Sequence, residues 1–162
     1  MITIHDYVRL LKSNIEIIKL QVADLTMDEM LIQPVNGGNC MLWALGHLTD
    51  NLQQILKIVG GTLPENQLDL SLFARGSQPI TGSEAGLPTP EQLLTAYDTL
   101  HQMVISQLGQ SEETYFDQEV ELWSGSKSTR GWYATFFSFH HSYHIGPLEL
   151  LRNLAGHTEK LI

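Results

Sequence analysis

Residues 137–156 read FSFHHSYHIGPLELLRNLAG. Three of the chain's seven histidines, at 140, 141 and 144, fall within five positions of an otherwise apolar run. The spacing predicts a helix from about Arg130 to Ala155, with Gly156 in the C-cap place. Helical neighbours turn by about 100°, so residues four apart share a face one turn up. His140 and His144 therefore face the same way, on the stripe Tyr133, Phe136, Phe137, His140, His144, Leu148 and Leu151, which predicts that the pair points inward. His141 lies about 100° round from His140, although a pairing with His144, three apart, stays geometrically open. Two buried imidazoles stacked one turn apart are hard to explain as packing alone. Desolvation keeps them neutral, and each still needs partners. A divalent cation would resolve this, because neutral imidazole is a metal ligand.

Working outward, three more segments carry the helical period. Ile4, Val8, Leu11, Ile15, Ile18 and Val22 draw the first apolar stripe, and Thr26 with Glu29 forms a capping box for a short turn. Asn39 is placed to cap the helix CMLWALGHLTDNLQQILKIV, which ends at Gly60-Gly61 and carries Leu45, Leu48, Leu52, Leu56 and Val59. Thr89-Pro90-Glu91-Gln92 starts a further helix with Leu93, Tyr97, Leu100, Val104 and Leu108, which Gly109 ends. SEETYF reads as another capped turn and WSGSKSTRG as a polar loop, with no alternating strand pattern. The expected architecture is all-α: one domain over residues 1–162, a four-helix bundle with a long connection after the second helix. That connection, from Gly60 to Pro88, is long enough to hide a turn of helix or to act as a lid.

A net charge of −9, with nine basic residues scattered along the chain, argues against nucleic acid and against an anionic membrane surface as partners. No apolar run approaches the roughly 18–20 residues of a membrane span. The N-terminal stretch lacks the features of a secretory signal, and Cys40 is the single cysteine, so a reducing cytoplasm is expected.

A third ligand for the histidine pair should come from another helix. His157 lies past the helix end and reads as surface, while His5 and His101 read as structural or solvated. His47 shares a flank with Trp43, Asn51, Gln54 and Cys40. Alone it reads as exposed, though that flank could line a semi-polar cleft.

The stretches WALGHLTDN and HHSYHIGPLELLRNLAG together resemble the DinB/YfiT-like metalloenzymes of the DinB superfamily. That family carries tryptophan-x-x-glycine-histidine in its second helix and histidine-x-x-x-histidine-x-glycine-glutamine in its last. Here these positions are Trp43, Gly46 and His47, then His140, His144 and Gly146. The resemblance covers essentially the whole chain. It implies a four-helix bundle, often a homodimer, with His47, His140 and His144 on a divalent metal ion, commonly zinc or nickel. It also implies His140 rather than His141 as the ligand. The family's glutamine is Pro147 here, which predicts a kink or widened turn beside His144 and puts the family's chemistry in question.

Three histidines leave a tetrahedral zinc ion one open position, as in catalytic sites. Some relatives are transferases or isomerases that use low-molecular-weight thiols such as bacillithiol or mycothiol. The resemblance thus implies a metal-dependent S-transferase or hydrolase acting on a small molecule; the alternative is a non-catalytic, dimeric, stress-associated binding protein. No general base is evident: Asp50 and Glu149 read as surface carboxylates, and Asn51 or Tyr143 as hydrogen-bond partners of a ligand ring. Cys40 reads as a small buried residue, and Trp123, Trp132 and Tyr133 as core or interface aromatics that could also shape a pocket.

Overall fold

A computed structural model describes residues 2–123 and 125–161. The chain is mostly helical, with one small two-stranded sheet. Helix α1 (Ile4–Val22) is capped by the Thr3 hydroxyl, which accepts from the Asp6 amide, and buries Tyr7, Leu11, Ile15 and Ile18. α2 (Met27–Met30) is one turn held by the predicted Thr26–Glu29 capping box. α3 (Met41–Ile58) begins after Cys40 rather than Asn39, with no side-chain cap. α4 (Pro90–Gly109) has the predicted Thr89–Gln92 capping box and runs through Gly109, whose added Cβ would meet nothing.

The leucines predicted for the α3 stripe, Leu45, Leu48, Leu52 and Leu56, are all at most 1% exposed, each contributing roughly 1.5–3 kcal/mol of burial. α3 packs against α4 on one side and α5 (Arg130–Ile145) on the other, while α1 closes the core against α4, α5 and α6 (Leu148–Leu154).

Two expectations are corrected. The segment read as a polar loop, residues 123–131, contains β2 (Ser126–Thr129), which pairs antiparallel with β1 (Glu119–Trp123) just before it, in the register Glu119 to Thr129 and Val120 to Ser128 with an irregularity between Glu121 and Trp123. Val120 and Leu122 alternate with Glu119 and Glu121 and pack against the core. A period of two carried by two apolar residues is too short to stand out in sequence. The hairpin delivers Arg130, whose amide donates to the Gln118 carbonyl at 2.9 Å and whose guanidinium donates to the Ile58 carbonyl near the end of α3. The guanidinium also lies 4.2 Å over the Tyr115 ring. The Trp123 side chain lies outside the described residues.

The second correction concerns the last helix, which is two: α5 and α6 part at Gly146-Pro147. Pro147 has no amide for the Tyr143 carbonyl, as expected. The backbone stays close to helical through the break, with φ/ψ of −52/−45° at Gly146 and −70/−13° at Pro147. α6 therefore continues the run of α5, and Leu148 and Leu151 remain buried. Gly156, at φ +95°, follows the C-cap Ala155 and ends the helix in a left-handed conformation that suits glycine.

The long connection holds a 3-10 turn at Ser71–Phe73 and is fixed by Leu70, Phe73 and Ile80, all at most 5% exposed. No described helix is long and apolar enough to cross a membrane.

Candidate metal centre

The motif in α3 makes sense once the connection is in place. The Phe73 ring lies across α3 at Gly46, where an added Cβ would sit 2.3 Å from the ring. The Phe73 carbonyl accepts from His47 Nδ1 at 2.8 Å, and Trp43 Nε1 donates to the Ser77 hydroxyl at 2.8 Å. Trp43 also stacks on His47, with ring centres 4.6 Å apart and planes 14° apart. All three motif residues thus seat one short stretch of the connection, residues 73–77. His47 is 4% exposed, against the exposed reading of its flank.

A carbonyl oxygen accepts only from a protonated ring nitrogen, so Nδ1 of His47 carries the hydrogen and Nε2 keeps its lone pair. Across the groove, the His140 and His144 ring centres lie 4.6 Å apart, and 5.3 and 4.5 Å from that of His47. One nitrogen from each of the three lies within 4.8 Å of the others, and together they could hold a metal ion. The Asn51 carboxamide meets His140 Nδ1 at 3.2 Å. With its amide nitrogen forward it donates to the ring; turned over, it accepts a ring N–H and leaves Nε2 free. Asn51 is thus the partner the sequence suggested, whereas Tyr143 is 66% exposed and touches His144 only ring edge to ring face.

Electrostatics favour the ligand form. Burial pushes all three imidazoles below their ordinary value, His144 to about 4, and the closeness of the rings adds to this for His140 and His144. The Phe73 bond and the Asp50 charge oppose the shift at His47 without reversing it. At neutral pH the three rings are neutral, each with a lone pair to offer. The donor set therefore fits a divalent ion with imidazole preference.

Several sequence expectations change here. His140 and His144 are half-buried and face the α3 groove, while the fully buried histidine of α5 is His141. α5 has two working faces: a core face of Tyr133, Ala134, Phe137, His141 and Ile145, and a site face of Phe136, His140 and His144. A stripe that mixes the two looks continuous in sequence. Asp50 is half-buried, not a surface carboxylate, and burial raises its carboxyl. It lines a recess with Gln53, Asp69 and Ser71. Glu149 is exposed as expected, and Cys40 is buried, with its thiol pushed up by burial and so kept in the unreactive form. His101 is buried, His5 is exposed, and His157 is half-buried with Nε2 3.1 Å from Glu29. A cleft of about 410 Å³ between α3, α4 and the connection is lined by none of the three histidines.

The family model of the DinB superfamily matches residues 16–148, a span that contains both histidine elements. The chain belongs to the DinB superfamily. No curated protein matches it closely. In this DinB chain the glycine of the α3 element is demanded by packing, at Gly46, whereas at Gly146 an added Cβ would make only ordinary contact, 3.4 Å from the Ser142 carbonyl oxygen.

A prediction follows for Gly46→Ala. The gain in helix propensity is about 1 kcal/mol. Displacing the Phe73 ring costs about 1–3 kcal/mol, and it shifts the carbonyl that orients His47. Denaturant unfolding of metal-free protein should show a net loss of stability. Zinc affinity, measured by competition with a chelating dye, should fall by about tenfold or more. Unchanged affinity would mean that the Phe73 contact does not orient the ligand.

Proposed function

We propose that this DinB chain is a divalent-metal-dependent enzyme, a thiol-dependent S-transferase or a hydrolase acting on a small molecule, with His47, His140 and His144 as the ligands. The observation that carries it is the convergence of three neutral imidazoles, one of them held by a backbone carbonyl in the tautomer that frees Nε2. Zinc or nickel suits such a set. A bound ion would supply Lewis acidity, or a thiolate that stays nucleophilic near neutral pH. The chain's own part is to keep the rings neutral, fix His47 through Phe73 and His140 through Asn51, and leave the half-exposed His140 and His144 side open to substrate. We read the four long helices as a DinB-type four-helix bundle forming a single domain over residues 1–162 in the cytoplasm. The test is metal analysis of untagged protein, followed by assays of thiol conjugation and ester hydrolysis. Absence of any bound divalent metal would end this reading.

One observation favours the alternative, a non-catalytic metal- or ligand-binding protein. Pro147 stands where the family's glutamine would be, and neither Asp50 nor Glu149 meets the imidazole cluster within ligand distance. Metal uptake with silence in both assays would select it.

The homodimer proposal rests on the outer face of α5 and α6. Trp132, Phe139, Tyr143, Leu150 and Leu154 are 43–68% exposed and recur at helical spacing. No Asp, Glu, Lys or Arg occurs from Gly131 to Leu148. Two copies paired about a two-fold axis would bury this stripe against itself. Phe139→Glu is expected to convert the dimer to monomer in sedimentation; a monomeric wild type would remove the proposal.

A further inference from the structure

The turn that seats His47 also carries a cation. Residues Ala74–Ser77 form a tight turn, with the Ser77 amide donating to the Ala74 carbonyl at 3.0 Å and Gly76 at φ +83°, a left-handed geometry that suits glycine. The turn is pinned at both ends: the Phe73 carbonyl on His47 and the Ser77 hydroxyl on Trp43. Arg75 sits between these anchors, two residues from Phe73, so its Cα lies within about 7 Å of the Phe73 Cα. It is exposed, and it makes no hydrogen bond or ion pair among the described residues. By contrast, the Arg130 guanidinium donates to the Ile58 carbonyl, and that of Arg152 to the Ala23 carbonyl and the Glu159 carboxylate. The Arg75 charge reaches across the groove to His140, where it helps to disfavour protonation. An exposed guanidinium with no partner among the described residues, in the turn whose Phe73 carbonyl holds His47 and with its charge felt at His140, is placed to attract an anion to a chain of net charge −9.

We propose that Arg75 reads substrate charge at this centre: it pairs with a carboxylate on the small molecule that occupies the open side of His140 and His144. The inference rests on the metal-site reading above and adds the substrate class, a carboxylate-bearing thiol or its conjugate. Guanidinium and carboxylate match as two parallel N–H···O bonds, which fixes orientation as well as charge. Arg75 is a specificity residue; the ion and its three ligands do not need it. Its neighbours within the turn, Ala74 and Gly76, carry no charge that would compete.

The test uses two thiols that differ only in the distal group, mercaptoacetate and mercaptoethanol. Zinc-loaded wild-type protein is titrated with each by calorimetry at low salt, beside Arg75→Ala and Arg75→Lys. Wild type should bind mercaptoacetate about tenfold more tightly than mercaptoethanol. That preference should shrink to about twofold or less in Arg75→Ala, persist in part in Arg75→Lys, and weaken with added salt. Mercaptoethanol affinity and zinc affinity should be alike in all three proteins. A preference that survives Arg75→Ala comes from the ion alone and overturns the inference, as do equal affinities in wild type. Failure of wild type to take up zinc overturns the metal reading itself, and this inference with it.

Discussion

Zinc in excess over metal-free protein is expected to raise its melting temperature by about 5–10 °C, and His140→Ala is expected to abolish the rise. An ion that binds the folded state alone, at about a hundred times its Kd, adds about 2.7 kcal/mol. For a domain of this size each kcal/mol moves the midpoint by about 2–4 °C. The three nitrogens are already within 4.8 Å of one another and neutral, so little of the binding energy goes into collecting or deprotonating them. His140→Ala removes one of three ligands and leaves the core untouched, since His140 is only half-buried. The metal-free variant should therefore melt close to metal-free wild type. His141→Ala makes the counter-test: it should lower the metal-free midpoint and keep the zinc response. A variant pattern that runs the other way, with His141 required and His140 dispensable, would overturn the ligand assignment.

The second large effect concerns His141 and acid. The ring is 0% exposed, and neither nitrogen has a hydrogen-bond partner among the described residues. Tyr7 and Tyr97, also buried, have hydroxyls without a partner among the described residues. Burial, reinforced by the neighbouring histidines, pushes His141 from 6.5 down to about 3. The unfolded chain takes up this proton below its ordinary value, and the folded chain does not until about 3. Between those limits the unfolded state binds more protons, so stability falls as pH falls, by up to about 1.4 kcal/mol per pH unit from this group. His144, depressed to about 4, acts with the same sign. Moving from about pH 7.5 to about pH 5 should cost metal-free wild type about 2 kcal/mol or more. His141→Leu, which leaves no donor or acceptor to desolvate, should be at least as stable at neutral pH and much less sensitive to acid. Urea unfolding at the two pH values is the measurement; parallel slopes for variant and wild type would show that His141 is not the group responsible.

Much of the helical frame was legible because its signals are local. Thr26–Glu29 and Thr89–Gln92 announce helix starts within four residues, and the stripes of α1, α3 and α4 repeat over several turns. The interruption of the last helix at Pro147 was legible for the same reason: a missing amide is a property of one residue. What the residues alone left open was any feature decided by a distant segment. His47 looked exposed because its cover, Phe73, lies 26 residues along the chain. The roles of His140 and His141 depend on which face of α5 meets α3 and which meets α1, and an α5 apolar on both faces does not encode that choice. The resemblance chose His140; helical spacing alone left the His141–His144 pairing open. The hairpin was missed because Val120 and Leu122 alone carry its alternation. No signal in the sequence pointed to Arg75, since its position follows from the anchoring of residues on either side.

The two nitrogens of His47 face in opposite directions in a thermodynamic sense. One is committed to Phe73 in the connection, and the other is free for an ion. Whatever steadies one end steadies the other, because coupling between two binding events is reciprocal. An ion would slow the opening of the connection, and a connection already seated removes the rotational freedom an unsupported ring would lose on binding. Hydrogen exchange at the Ala74 and Ser77 amides, which bond to the Ser71 and Ala74 carbonyls, would follow occupancy from outside the imidazole cluster. The long connection is in this sense a slow reporter of the metal centre, several residues removed from any ligand.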